Sequence, residues 1–388
     1  MINFPRTPVT RLLLCRLYHA AALLALFSSA ACAKPEPASV VEIVGATTPC
    51  SGCRIELGPP LELRSDNGGA TALAVSPTAV TIDGQGRFWV AAMQELARVY
   101  DANGKFINTV GQKAGGSNEP NAPSAFLPLP GDSMLVFAFD SARNTQAFVV
   151  DSQFRTARTL RIPGILFPAS ADNWPSRVLL TGPIATDSSA GLALHFASAE
   201  QSDFKVVRSF GPGKIPVPQR ATMASFQRVT PAKDGGYWSA DILRYRISHF
   251  AKDGTLIGTI ERAPDWFAVP SGDNDGTPTM PPPPKIFAIW QAPDGLLWVF
   301  GRVAGKRWQE GWPKLAPGVT EVNMSALRVD KMFGTVVEVL DPITRLVVSS
   351  APFDDYISNV LPNGNVAVFV ADSAGVPHLS IRRLSLVR

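Results

Sequence analysis

Residues 79–111 read AVTIDGQGRFWVAAMQELARVYDANGKFINTVG, and this stretch decides the fold. Residues 79–82 form a short alternating run. Asp83-Gly84-Gln85-Gly86 is a turn, because glycine reaches positive φ without a steric penalty. Residues 87–91 are aromatic and β-branched, as a half-buried strand should be. Residues 96–100 give a third strand, Asp101-Ala102-Asn103-Gly104 a second turn, and residues 105–110 a fourth strand. Four short antiparallel strands joined by Asp/Gly turns make one blade of a β-propeller.

The pattern recurs along the chain. An Asp or Asn, a Gly and then an apolar strand with an early Trp stand at Asp83 to Trp89, at Asp234-Gly235-Gly236-Tyr237-Trp238 and at Asp294-Gly295-Leu296-Leu297-Trp298. Asn363-Gly364-Asn365-Val366 repeats it without Trp, and Pro130-Gly131-Asp132-Ser133 is a weaker copy. The second turn returns at Asp151-Ser152-Gln153 and at Lys252-Asp253-Gly254. Repetition at such a period is the signature of a modular fold. Six units result, at about 74–112, 122–163, 164–216, 220–262, 284–350 and 353–388. The last offers three strands only, at 356–361, 366–371 and 379–387. An unassigned strand pair at 54–63 is expected to supply the fourth and close the ring, which would remove an open sheet edge. The expected fold is therefore all-β: a six-bladed propeller over 50–388, with loop insertions at 263–285 and 302–335.

On these motifs the chain resembles the NHL-type six-bladed propellers. Its opening Cys50-x-x-Cys53-x-Ile55-x-Leu57 and its Asp294-Gly295-Leu296-Leu297-Trp298-Val299 are more narrowly similar to a group of exported bacterial six-bladed β-propeller proteins of undefined function. The resemblance implies the fold and says almost nothing about chemistry, because propellers host unrelated functions.

The N-terminus reads as an export signal. Residues 1–31 hold Arg6, Arg11 and Arg16 and no acid, followed by an apolar run at 17–31 too short for a comfortable membrane span. Ser29-Ala30-Ala31-Cys32 resembles a lipobox, which would make Cys32 a lipidation site. Ala31-Cys32-Ala33 also fits ordinary cleavage. Residues 32–49 read as a tether. The expected location is the periplasm or cell envelope, with membrane contact only through a lipid on Cys32. Of the four cysteines, Cys50 and Cys53 remain as a pair in an oxidising compartment. The favoured reading is a local disulfide. Arg54, where a haem motif needs His, argues against haem, and the strand-like 54–57 against a thioredoxin-type site.

The formal charge of +4 overstates the basicity of a mature chain: without residues 1–31 there are 33 basic and 32 acidic residues. No basic run survives, so nucleic acid is not an expected partner. No H-E-x-x-H, G-x-S-x-G or P-loop spacing is present, and no cofactor is expected. His195, His249 and His378 fall in different blades and read as structural. Asp265, Asp273 and Asp275 make a loose acidic loop without an EF-hand's spacing.

Five of the eight tryptophans lie between 266 and 312. Trp290 and Trp298 sit in strand patterns and read as core. Trp266, Trp308 and Trp312 lie in loop-like sequence. Packing of those loops is one reading; an aromatic lip that stacks on sugar rings or apolar ligands is the other. With Arg302, Lys306 and Arg307 as donors, these are the candidate binding residues. The expected function is a non-catalytic binding or scaffolding module for an envelope protein or a glycan. The alternative is a metal-dependent hydrolase or lyase at the central channel, which would need polar side chains converging on the axis.

Overall fold

The computed structural model describes residues 39–42, 50, 52–65, 73, 75–92, 95–111, 123–139, 145–184, 192–211, 226–268, 279–313, 326–372, 374 and 376–388. Residues 1–31, expected as an export signal, and Cys32, Asp273 and Asp275 lie outside the described residues, as does most of the 32–49 stretch.

Six sheets follow one another along the chain, four of them built wholly of consecutive antiparallel strands and two joined by a strand from the N-terminal part of the chain. The first comprises Pro77–Ile82, Phe88–Ala92, Ala97–Tyr100 and Phe106–Val110. One edge strand of every sheet lies innermost. Pro77–Ile82, Pro123–Leu129, Phe167–Asn173, Gln227–Pro231, Lys285–Gln291 and Tyr356–Val360 each touch the next, and the last returns to the first. This is a six-bladed β-propeller.

The second strand of each blade explains why the ring holds. In Phe88–Ala92 all five residues are buried. Successive side chains point to opposite faces of a sheet. Accordingly Phe88, Val90 and Ala92 pack toward blade six, while Trp89 and Ala91 pack toward blade two. The apolar core is thus divided among six seams, one between each pair of neighbouring blades, the sixth joining blade six to blade one. A strand buried on both faces reads as an uninterrupted apolar run. The outer strand Phe106–Val110 instead alternates between covered and exposed residues.

The turns repeat because their geometry does. Gly86, Gly235, Gly295 and Gly364 occupy equivalent turn positions, with φ of 78°, 85°, 93° and 81°. In blade one Asp83 does more than start a turn. Its carboxylate is buried and accepts from the backbone N–H of Gln85 and Arg87, from Arg87 Nε at 2.6 Å and from Trp89 Nε1 at 2.9 Å.

Two segments extend the blades. Arg54–Glu62 pairs antiparallel with Pro377–Val387 and forms the outermost strand of blade six's sheet. Ser39–Glu42, inside the stretch expected as a tether, pairs in parallel with Leu256–Glu261 as a fifth strand on blade four. Cys50 and Cys53 form a disulfide just before Arg54–Glu62. At the 302–335 insertion, Leu297–Ala304 and Phe333–Asp341 pair antiparallel from Leu297 opposite Leu340 to Ala304 opposite Phe333, so the strands run into the stretch expected as a loop. A short 3-10 turn, Trp308–Gly311, and a helical turn, Val329–Met332, lie between them in sequence and touch each other.

Candidate functional site

The innermost strands of all six blades surround an axial channel of about 1000 Å³. Its walls are largely apolar, with Val80, Phe126, Phe167, Phe287 and Ile289 among the lining residues. Strand register sorts the innermost strands into tiers. Ala79, Ala125, Phe167, Arg228, Ala288 and Tyr356 pair with equivalent residues of the second strands: Ala91, Phe137, Thr181, Ala240, Phe300 and Phe369. This tier holds three alanines, two aromatic residues and one arginine. Blade four alone contributes a charge to it.

Arg228 lines the channel and is largely shielded from solvent. Its Nε is fully buried without a hydrogen-bond partner. Among the described residues no carboxylate stands within ion-pair distance of it. Burial, and then the nearby Arg302 charge, pull its pKa down to about 10, so the group remains cationic at neutral pH. Arg302 itself is packed among rings, its guanidinium carbon 4.9 Å from the centre of Phe287, 5.4 Å from Phe333 and 4.8 Å from Tyr356. Asn359 also lines the channel, and its Oδ1 is buried without a partner.

Asp172 and Gln227 of the wall are engaged. Asp172 accepts from Ser170 Oγ and Tyr237 Oη, with Arg177 Nη2 at 3.6 Å. Burial and the Asp172 carboxylate push the Tyr237 phenol well above its usual pKa, so it donates. Gln227 donates to Asp241 at 2.7 Å and accepts from Ser239 at 3.1 Å.

The six predicted binding residues do not form one cluster. Trp266 lies against the seam of blades four and five, where its Nε1 donates to Glu338 Oε1 at 3.0 Å. Glu338 is 1% exposed and also accepts from Tyr245 Oη at 2.7 Å and Arg262 Nη2 at 3.2 Å. Arg302 follows Gly301, whose bare Cα faces the Trp266 ring. Lys306 and Arg307 are exposed and pair with Asp354 at 2.7 Å and Glu310 at 3.7 Å. Trp308 and Trp312 flank the same turn, both half-buried, and Trp312 Nε1 is buried without an acceptor.

His195 is fully buried between Ser209 Oγ and the Gly182 carbonyl, each at 2.8 Å. A carbonyl only accepts, so Nε2 carries the proton and Nδ1 accepts from the serine. Among the described residues no group of three or more His, Cys, Asp or Glu is arranged to hold a metal ion.

No protein-family model matches the sequence, and no curated protein matches it. Solved structures share the fold. An exported-protein candidate from Bacteroides fragilis superposes with a TM-score of 0.54 at 10% identity, over 89% of this chain and 99% of that one. Virginiamycin B lyase from Staphylococcus aureus gives a TM-score of 0.43 at 11% identity, over 86% of this chain and 100% of its own. At such identities the likeness concerns the fold alone.

Proposed function

We propose that this chain is an exported, non-catalytic binding module that takes a small ligand into the axial channel. The observation that carries this reading is the channel itself, about 1000 Å³ with apolar walls and a few polar groups lacking protein partners. Those are the attributes of a binding cavity. Export is supported by the signal-like residues 1–31 and by the Cys50–Cys53 disulfide, a bond kept in oxidising compartments. The Bacteroides fragilis relative in fold, itself an exported-protein candidate, agrees with this. Cys32 would anchor the module by a lipid, and an envelope protein or glycan would meet it at the turn bearing Trp308 and Trp312.

The test is thermal unfolding of the full chain with a panel of organic acids, their neutral analogues and oligosaccharides. A ligand that binds only the folded state raises the midpoint by mass action. A rise that disappears when Ala288→Trp fills the channel supports the reading. A rise that survives Ala288→Trp but disappears in Trp308→Ala/Trp312→Ala moves the site to the rim.

A further inference from the structure

We propose that the axial channel binds an organic oxyanion with an apolar body, its charge held by Arg228. This deepens the channel reading above and rests on it. Four observations converge. First, Arg228 breaks the pattern of its tier, where register puts alanine in three of the other five blades. Second, no described carboxylate pairs with it, and its buried Nε–H has no acceptor. Third, Arg302 is close enough for its charge to act on Arg228 and, among the described residues, is itself paired only with ring faces. The one carboxylate lining the channel among the described residues, Asp172, already takes hydrogen bonds from Ser170 and Tyr237. Fourth, apolar residues of the same tier, Phe167 and Ala288, also line the channel.

Two shielded cations beside each other without a counterion are unfavourable, because removal from water and mutual repulsion both oppose them. A bound oxyanion reverses both effects. Guanidinium matches carboxylate and phosphate oxygens with two parallel N–H donors. An apolar tail would lie against Phe126, Phe167 and Ile289, and Asn359 offers a further polar contact. A bare inorganic anion would leave those walls unused. A neutral apolar molecule would leave Arg228 desolvated and unpaired.

The experiment is calorimetric titration of the full chain with octanoate, octyl phosphate and octanol, for wild type, Arg228→Gln, Arg228→Lys and Ala288→Trp. The wild type is expected to bind at least one of the two anions ten or more times more tightly than octanol. Comparing octanoate with octyl phosphate identifies which oxyanion is preferred. In Arg228→Gln the preference should shrink to threefold or less; Arg228→Lys should keep part of it. Equal binding of octanol and both anions by the wild type, or a preference that survives Arg228→Gln, overturns the anion assignment and leaves the channel reading standing. Anion binding that persists in Ala288→Trp overturns the channel reading itself. The absence of binding by all three ligands overturns the proposal. Unchanged circular dichroism in each variant separates these outcomes from misfolding.

Discussion

Trp266 and Glu338 meet across the seam between blades four and five, the indole Nε1 donating to Oε1 at 3.0 Å. Tyr245 and Arg262 reach the same carboxylate from blade four's side. The buried charge is therefore paired with Arg262, and one loop tryptophan acts as part of the seam's polar fastening.

Replacing Glu338 should be costly. The Arg262 and Glu338 side chains are 9% and 2% exposed. Removing one partner strands the other in a poorly solvated place, a loss of about 3–5 kcal/mol. Denaturant unfolding of Glu338→Ala should show that loss. A change below about 1 kcal/mol would mean that the pair contributes little.

Gly301 is the floor beneath Trp266. A Cβ there would sit 2.2 Å from the indole ring, closer than any contact allows. Gly301→Ala should displace Trp266, shift its fluorescence and cost about 1–3 kcal/mol, as overpacking does. Gly52→Ala is the control, because nothing stands within 4 Å of the added carbon.

Arg228→Met should stabilise the ligand-free protein. The change removes a shielded cation that has Arg302 beside it, and apolar replacement of desolvated charges is often favourable by about 1–4 kcal/mol. A lower unfolding midpoint for Arg228→Met would show instead that Arg228 is held by protein groups.

His195 makes a pH signature. Burial pushes its pKa below the ordinary 6.5, so the folded protein keeps it neutral. Below pH 6.5 the unfolded chain takes up a proton that the folded protein refuses. The histidine's contribution is complete above 6.5, declines as pH falls, and levels off below the folded value. Denaturation measured between pH 7.5 and 5 should therefore show a steeper decline for wild type than for His195→Gln.

The ring was legible because each blade repeats a constraint imposed by backbone geometry. Gly86, Gly235, Gly295 and Gly364 recur where the turn needs positive φ, and the second strands are apolar because both faces meet neighbours. The site was harder to see. Arg228 sits in QRVTP, which reads like any half-solvated strand; only register across six distant segments puts it in a tier of alanines and aromatics. Glu338 did carry a signal. It stands in VVEVLD, within a strand buried along nearly all of its length, where an acid must find partners. Trp266 looked like a loop residue because nothing local records Glu338, 72 residues away.

Arg54–Glu62 and Pro377–Val387 lie side by side in one sheet, and Arg382 Nε reaches the Gly58 carbonyl across 324 residues of sequence. During synthesis, blades one, two, three and five can each assemble from strands that have just left the ribosome. The four strands of the last sheet cannot, because the one made first must wait for those made last. Such distant pairing is slow to form, so this sheet should be the final part of the molecule to acquire its hydrogen bonds.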